Sequence, residues 1–567
     1  MTEEEILSAE IAEDWVEANK QRSGLGVLRS NVAIAGFLVV IFLSSTLLYF
    51  FLEDEPVEYG ISMDYDQDRT RGYVDDLLEL GHPEWKGRMS GSAEEQATAE
   101  YIANLFEELG YQSTLHTYEV PMHSVNSEPS LRVCEPGTTG NFGIAPCSPA
   151  DVGQQITTFN HRMDYVIQGF SGESSIMFGQ DMEVVHLGNG TDDSLWAAAS
   201  GKVGYVVGGG SISGNTGIMT RAIENGLESI IRVNKDYNCG KIEGNDCVPI
   251  FKGTSISAMK EANGGSVPSQ MAFIAMSKDA GEILESVVIN GSGRLEMIMD
   301  VTNDQELTIR VPCGTYYGTS DDLLIVGGHH DTVYHGPGAV DDTSGTASVL
   351  ELATMFSQYI IENGEPDRTL RFCTWGGEEE GLWGSTEYVK EFKSELSDDL
   401  RLYINLDMNH VDIDPARGNS VRLFANHETD YNHIVNLTAE YEKDNPEMAE
   451  KYDIQTMLLD GEQGEDDEMP CNSDHCPFVY QLEEGVRGRA AVCYGSGSWE
   501  YHTYLDDISR FNEESLGISV TIYGNYVKYL ACQVLGIPSA RYTKYLVYQV
   551  LGIPSTWYTN YGGYTPS

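Results

Sequence analysis

The chain has 567 residues, which at roughly 150 per domain leaves room for two to four domains, and its composition of 41% hydrophobic and 22% charged residues is that of a globular protein with a large core. Asp and Glu number 88 against 34 Lys and Arg, giving a net charge of −54 and a pI near 4.3. A surface of that sign repels phosphates and anionic headgroups, which excludes nucleic acid as a ligand, and it fits a protein kept soluble at high ionic strength.

Residues 1–30 read as a cytoplasmic tail, with an acidic head (Glu3, Glu4, Glu5) followed by Lys20, Arg22 and Arg29. No charged residue occurs from Ser30 to Leu52, and about 20 apolar residues suffice to cross a bilayer as a helix, so residues 31–52 are predicted to be a transmembrane anchor. The run is longer than the ~7–15 apolar residues of a signal peptide, and no small-residue cleavage site follows it cleanly. The Lys/Arg bias places the N-terminus inside, and the body beyond Glu53 is expected outside the cytoplasm. Ten cysteines agree with an oxidising compartment. Cys134 with Cys147, Cys239 with Cys247 and Cys471 with Cys476 are close pairs suited to disulfides, whereas Cys313 and Cys373, in apolar strand-like runs, are expected as buried thiols. No CxxC spacing occurs, which argues against cysteine-bound zinc. Sequons at Asn189, Asn290 and Asn436 add weak support for an outside location.

Residues 53–120 read as the first part of a catalytic domain, with a helix over Thr70–Leu80 and a second after Ser92, over Ala93–Leu109, stopped by Gly110. From 121 to 300 short β-like runs (Met163–Gln168, Gly204–Val207, Ser229–Val233, Met271–Ile274) alternate with Gly/Ser/Asn-rich turns, the texture of an inserted, mostly-β domain. Over 301–535 strands alternate with helices: Leu323–Gly328, Leu370–Thr374, Leu402–Leu406 and Ala490–Tyr494 as buried strands, with helices over Ser344–Ile361 and from near Ser385. That alternation predicts an α/β fold with a mainly parallel, mixed sheet wrapped by helices. Lys528–Thr543 is echoed by Lys544–Thr559, and residues 536–567 are taken as a duplicated tail with no assigned chemistry.

The chemistry gathers where these strands end, the edge at which open α/β sheets bind ligands. LLIVGG runs into His329, His330 and Asp331; the next strand leads through Gly376 and Gly377 to Glu378, Glu379 and Glu380; LYINL delivers Asp407; AAVCY leads through a Gly/Ser loop to His502. Asp341 stands at the start of a helix, where a carboxylate suits the dipole. Taken singly, a glutamate triplet in so acidic a chain is a solvated face. Convergence of four strand ends on imidazoles and carboxylates is not.

In order, His329-x-Asp331, Gly338-Ala339-x-Asp341-Asp342-x-Ser344-Gly345, Glu378-Glu379-x-Gly381-Leu382-x-Gly384-Ser385, Asn405-Leu406-Asp407-Met408, Ser473-Asp474-His475 and His502-Thr503 resemble the di-zinc aminopeptidase and glutamate-carboxypeptidase family of metallopeptidases. Gly87-Arg88-Met89-Ser90-Gly91-Ser92 resembles that family's N-terminal segment, and the insert resembles a protease-associated domain. The resemblance implies a zinc-exopeptidase-like fold and two Zn2+ per chain: Asp341 bridging, His329 and Asp407 on one ion, Glu379 and His502 on the other, with Glu378 as general base. It further implies that Asp331 orients His329, and Asp506 His502. Some relatives place an oxyanion-holding tyrosine before Ser473; here Met469-Pro470-Cys471-Asn472 has none, leaving His475 and Tyr494 as candidates. His330 is set aside as a ligand by the HxD spacing, and His335 is read as substrate-facing or solvated. The expected activity is that of a membrane-anchored exopeptidase acting on peptides, with aminopeptidase favoured over glutamate-carboxypeptidase-like or dipeptidase activity and a homodimer suggested by relatives. The rivals are a catalytically silent receptor-like homologue and a one-zinc acyltransferase of glutaminyl-cyclase type.

Overall fold

A computed structural model describes residues 63–532 apart from 138–146, 149, 209–213, 236, 243–246, 415, 463 and 484. The expected anchor at 31–52 and nearly all of the C-terminal duplication lie outside the described residues. Among those described, no helix is long and apolar enough to cross a membrane.

The catalytic half is built on one eight-stranded sheet: β1 (Gln112–Val125), β2 (Val301–Tyr316), β3 (Ser320–His329), β4 (Arg368–Trp375), β5 (Leu400–Leu406), β6 (Ser420–Ala425), β7 (Asp453–Leu458) and β8 (Ala490–Tyr494). Their order is β1-β2-β4-β3-β5-β8-β6-β7. The central four, β4, β3, β5 and β8, are mutually parallel, and antiparallel pairings of β2 with β4 and of β8 with β6 flank them. The mixed, parallel-centred sheet expected from the strand–helix alternation is therefore present.

Helices cover both faces. α1 (Gln67–Glu79) is capped by Asp66, and α2 (Ala93–Glu108) by Ser92, each side chain accepting a first-turn N–H. α3 (Thr343–Asn363) is buried continuously from Thr343 to Ser357, so it runs through the core rather than over it. α1 and α5 (Glu513–Ala531) pack on it, and its Phe356 meets Phe372 of β4. On the opposite face Trp375, Tyr403 and Phe478 make a nested aromatic cluster closed by α4 (Trp383–Glu391), whose Tyr388 packs on Trp375. Glycine is required where three elements converge. A Cβ on Gly328 of β3 or on Gly345 of α3 would lie 2.5 or 2.1 Å from the Leu406 carbonyl oxygen at the end of β5.

Two expectations are corrected here. β1 belongs to the main sheet and pairs along its length with β2, so residues 121–125, expected in the insert, are part of that sheet, which the chain leaves after Val125 and rejoins at Val301. That insert is also less purely β than its texture suggested. It holds a four-stranded antiparallel sheet (155–159, 130–135, 294–299, 174–176) and a five-stranded one (165–167, 272–276, 229–233, 203–207, 184–186). The last four strands of the second sheet are parallel and alternate with helices at 193–197, 214–224 and 256–262. Gly-rich turns masked these helices because two of the three are short, so few periodic positions betray them.

The cysteines divide differently from expectation. Cys134–Cys147, Cys239–Cys247 and Cys471–Cys476 are disulfides, but so is Cys313–Cys373. Those two residues are directly opposed on the antiparallel strands β2 and β4, a pairing that residues 60 apart in sequence do not announce. The free thiols among the described residues are Cys493 and Cys532.

Candidate metal centre

Each predicted ligand arrives from the end of a strand or the start of α3, and the structure brings all five together. His329 closes β3, Asp407 follows β5, Glu378 and Glu379 follow β4 after the Gly376–Gly377 turn, and His502 lies in the loop after β8. Asp341 has one imidazole at each of its oxygens: His329 Nε2 is 3.2 Å from Oδ1 and His502 Nε2 is 2.8 Å from Oδ2. Glu379 Oε2 completes the second group at 2.9 Å from His502 Nε2. A carboxylate shared between two imidazoles is the arrangement a bridging ligand needs.

By distance alone, the donor atoms of Asp341, Glu379 and His502 lie within 4.8 Å of one another, and so do those of His329, Asp342 and Asp407. Asp342, however, is already committed. It caps α3, accepting from Gly345 N (2.8 Å), and it also accepts from Met408 N (2.9 Å) and His329 N (3.3 Å). Its neighbour Asp341 is the carboxylate left free to reach both groups.

The residues fit a pair of zinc ions. His502 Nε2 and Glu379 Oε1 are buried without a hydrogen-bond partner, although carboxylate oxygens converge on that nitrogen. An imidazole nitrogen aimed into carboxylates without bonding to them is a donor set for a divalent cation, and mixed imidazole and carboxylate donors suit zinc. Burial pushes the Asp407 carboxyl up to about 6, with Asp341 and Glu379 adding to the rise. Burial alone would lower His502, but Glu379 and Asp341 raise it to about 9. Glu378 is driven well above the usual carboxylate range by burial, with His329 opposing.

Behind the ligands, Asp331 acts as an organiser. His329 Nδ1 is 3.1 Å from its backbone oxygen and 3.5 Å from its carboxylate. The same carboxylate accepts from Glu378 N (3.3 Å), Glu379 N (3.2 Å) and Ser90 Oγ (2.7 Å), so it orients the His329 imidazole and the Glu378–Glu379 loop together. Ser90 in turn accepts from Gly377 N at 2.9 Å. Arg88, fully buried, donates to the carbonyls of His330 and Pro337 and to Thr343 Oγ1, pinning the ligand loop to the start of α3.

Other expectations are revised. Asp506 does not orient His502; its carboxylate accepts from Val340 N (2.9 Å) and Asp341 N (3.0 Å) and so fixes the Asp341 backbone. His502 is instead held by the insert: its Nδ1 lies 2.9 Å from the Phe251 carbonyl, and Phe251 N donates back to the His502 carbonyl at 3.1 Å. This grip holds His502 at a φ of +56°. His330 is buried between Thr374 Oγ1 (3.0 Å) and Glu95 Oε1 (3.3 Å) and is no ligand. His335 is buried, not solvated, and neither ring nitrogen has a hydrogen-bond partner. His475 is buried with Nε2 at 2.5 Å from the Pro470 carbonyl, and Tyr494 donates to Asn472 Oδ1 at 2.9 Å. Neither lines the adjoining cavity of about 490 Å³, whose walls include Glu378, Glu379, Trp383, Asn472, Tyr501 and Lys252. Tyr501 stacks on His502 with ring centroids 3.7 Å apart. Sequence reading missed Phe251, Lys252 and Tyr501. Only Tyr501 had any signal, its adjacency to a ligand.

A parallel-centred sheet carries, at its strand ends, an aspartate placed between two imidazole–carboxylate groups that fit zinc. Residues 313–527 match the sequence model of peptidase family M28. It is 29% identical over 241 residues to an aminopeptidase of Pseudomonas aeruginosa, a match covering 40% of this chain and 42% of that one. It is 34% identical over 137 residues to a probable leucine aminopeptidase 2 of Aspergillus oryzae, covering 24% and 27%. The chain thus spans about two fifths or less of the length of these curated relatives. Among solved structures, a zinc aminopeptidase from Bacillus subtilis aligns with a TM-score of 0.56 at 18% identity over 84% of this chain and 98% of its own. An aminopeptidase from Aneurinibacillus sp. strain AM-1 aligns at 0.53 and 22% identity, over 83% and 94%. These likenesses establish a shared fold.

Proposed function

We propose that the protein is a two-zinc exopeptidase of aminopeptidase type, with His329, Asp341 and Asp407 on one ion, Asp341, Glu379 and His502 on the other, and Glu378 as general base. The observation that carries this reading is the position of Asp341, one oxygen toward His329 and the other toward His502. Bound zinc would supply an acidified water and a polarised scissile carbonyl. Glu378 lines the cavity with Oε2 3.9 Å from His329 Nε2, placed to take a proton from the attacking water and return it to the leaving amine. Asp331 holds both His329 and the Glu378 backbone, which keeps base and ligand in register. The names of the aligned relatives favour aminopeptidase activity. An intact ligand set speaks against a silent receptor-like role.

The proposal extends to residues 31–52 as a membrane anchor with the body outside the cytoplasm, to residues 126–300 as a protease-associated-like module, and to a homodimer. Full-length protein and Glu378→Gln would be compared for zinc content and for hydrolysis of free and N-blocked dipeptides. Two zinc ions per chain in both, with free-amine substrates cleaved by the wild type and kcat reduced about 10³-fold in the variant, is the expected result. Unchanged turnover in Glu378→Gln would remove the base from its role. Cleavage of blocked substrates alone would move the activity to carboxypeptidase.

A further inference from the structure

The loops that bring Asp407 and His502 to the centre follow neighbouring strands, β5 and β8, and are joined to each other beyond the sheet. Gly495 N donates to the Met408 carbonyl at 2.9 Å, and a Cβ on Gly495 would lie 1.6 Å from the His410 carbonyl oxygen, so only glycine admits this approach. Asp412 N donates to Ser496 Oγ at 3.2 Å, and Asn512 Nδ2 to the Asp412 carbonyl at 3.4 Å. Four charged side chains complete the joint. Arg417 donates to both oxygens of Glu500 (Nη1 to Oε1 3.2 Å, Nη2 to Oε2 2.9 Å), and Arg510 Nη2 donates to Asp412 Oδ1 at 2.7 Å. Arg417 Nε also lies 3.5 Å from Asp412 Oδ2, and Arg510 Nε 3.5 Å from Glu500 Oε2. Each loop thus supplies one acid and one arginine, and both hydrogen-bonded pairs run from one loop to the other.

Joining two loops does not by itself require charge. The Asp412 and Glu500 side chains are only 2% and 5% exposed, and the desolvation of such acids offsets much of what the pairing returns. What charge adds is direction, because a two-pronged arginine–carboxylate pair fixes an angle as well as a distance. Glu500 stands two residues before His502. Its carbonyl accepts from Thr503 N (3.0 Å) and Thr503 Oγ1 (2.6 Å), closing the turn that presents His502 at a positive φ. The same loop sets Asp506 against the Asp341 backbone. Holding Glu500 to Arg417 therefore places His502 and Asp341 relative to Asp407.

On the two-zinc reading, we propose that Asp412, Arg417, Glu500 and Arg510 are positioning residues that clamp the Asp407 loop to the His502 loop and so set the separation of the two ion sites.

The test uses full-length Glu500→Gln, which keeps the shape and loses the charge, and Arg417→Lys, which keeps the charge and loses the two-pronged pair. Arg417→Lys carries the test alone if Glu500→Gln does not fold. Zinc affinity is measured by chelator competition, and the visible absorption of the cobalt-substituted proteins reports the geometry around the ions. Both variants are expected to bind zinc about 10- to 100-fold more weakly, the size of effect known for partners behind metal ligands, with a changed cobalt spectrum. Variants that unfold at lower urea but keep wild-type affinity and spectrum would reduce the four residues to structural support and overturn the proposal. Hydrogen exchange of the metal-free proteins needs no ion and separates the clamp from the zinc reading. Segments 408–414 and 495–507 are expected to exchange faster together in either variant, and a change confined to 495–507 overturns the clamp. A wild type that takes up no zinc, with both segments still loosening together in the variants, would overturn the two-zinc reading and not the clamp.

Discussion

Asp331 shows how one carboxylate can set the geometry of a centre without being a ligand. It joins an imidazole from β3, two backbone amides after β4 and the Ser90 hydroxyl, so moving it would displace His329 and Glu378 at once. A different logic governs His123 of β1, which lies far from any carboxylate partner and packs on Phe170 and Phe251 with ring centroids 4.9 and 6.3 Å away. Burial lowers its pKa to about 3, and Nδ1 has no hydrogen-bond partner. The unfolded chain takes up a proton near pH 6.5, whereas the folded one does so only near 3, so the unfolded state binds more protons between those values. Stability from this group is complete above pH 6.5 and declines as pH falls toward 3. His123→Phe should therefore flatten the loss of stability on acidification by about 1.4 kcal/mol per pH unit. Urea unfolding at pH 6.5 and 4.5 measures it, and an unaltered pH slope would show that His123 is not held neutral.

At the scale of elements, the start of α3 is where the molecule concentrates its restraints. Asp342 caps the helix while receiving amides from β3 and β5, and glycines at 328 and 345 let the three backbones close to contact. Arg88 ties the segment before α2 to this junction through three acceptors that are otherwise buried. Arg88→Met fills the volume of the stem but leaves those acceptors without donors, at about 1–3 kcal/mol for each unsatisfied group. A loss of about 3 kcal/mol or more is expected, read from the urea midpoint of the zinc-loaded protein. A loss below 1 kcal/mol would mean that water replaces the guanidinium and that the segment is not an anchor. The four-residue run Phe251–Thr254 plays the matching part on the other side, where the insert reaches the loop after β8.

For the whole molecule the governing quantity is charge. With 88 acidic against 34 basic residues, the folded chain works against its own repulsion, and part-buried ion pairs such as Arg69–Glu351 and Arg310–Glu95 offset it only locally. Raising salt from about 0.1 to 1 M shortens the Debye length from roughly 10 to 3 Å, which screens the surface more than these pairs. The Tm of the full chain is expected to rise across that range. A fall would show that attractive surface pairs, not repulsion, dominate. The two sheets of the insert and the larger sheet share this surface, so the effect belongs to no single element.

What the sequence determined by itself was local chemistry. A short apolar run ending in His329-x-Asp331 declares a buried strand and the residues at its mouth, and four such strand ends pointed to side chains that the structure brings together. The helices read over Thr70–Leu80, Ala93–Leu109 and Ser344–Ile361 are α1, α2 and α3 to within a few residues, because periodicity operates over that range, although α1 begins at Gln67 rather than Thr70. Only tertiary structure decided the contacts between distant segments. β1 pairs with β2 across the whole insert, Cys313 meets Cys373 because their strands are neighbours, Asp506 turns to the Asp341 backbone, and the insert returns to grip His502. Such contacts are made by the closing of the chain on itself, and no residue pattern within reach of a single helix or strand records which remote segment will arrive.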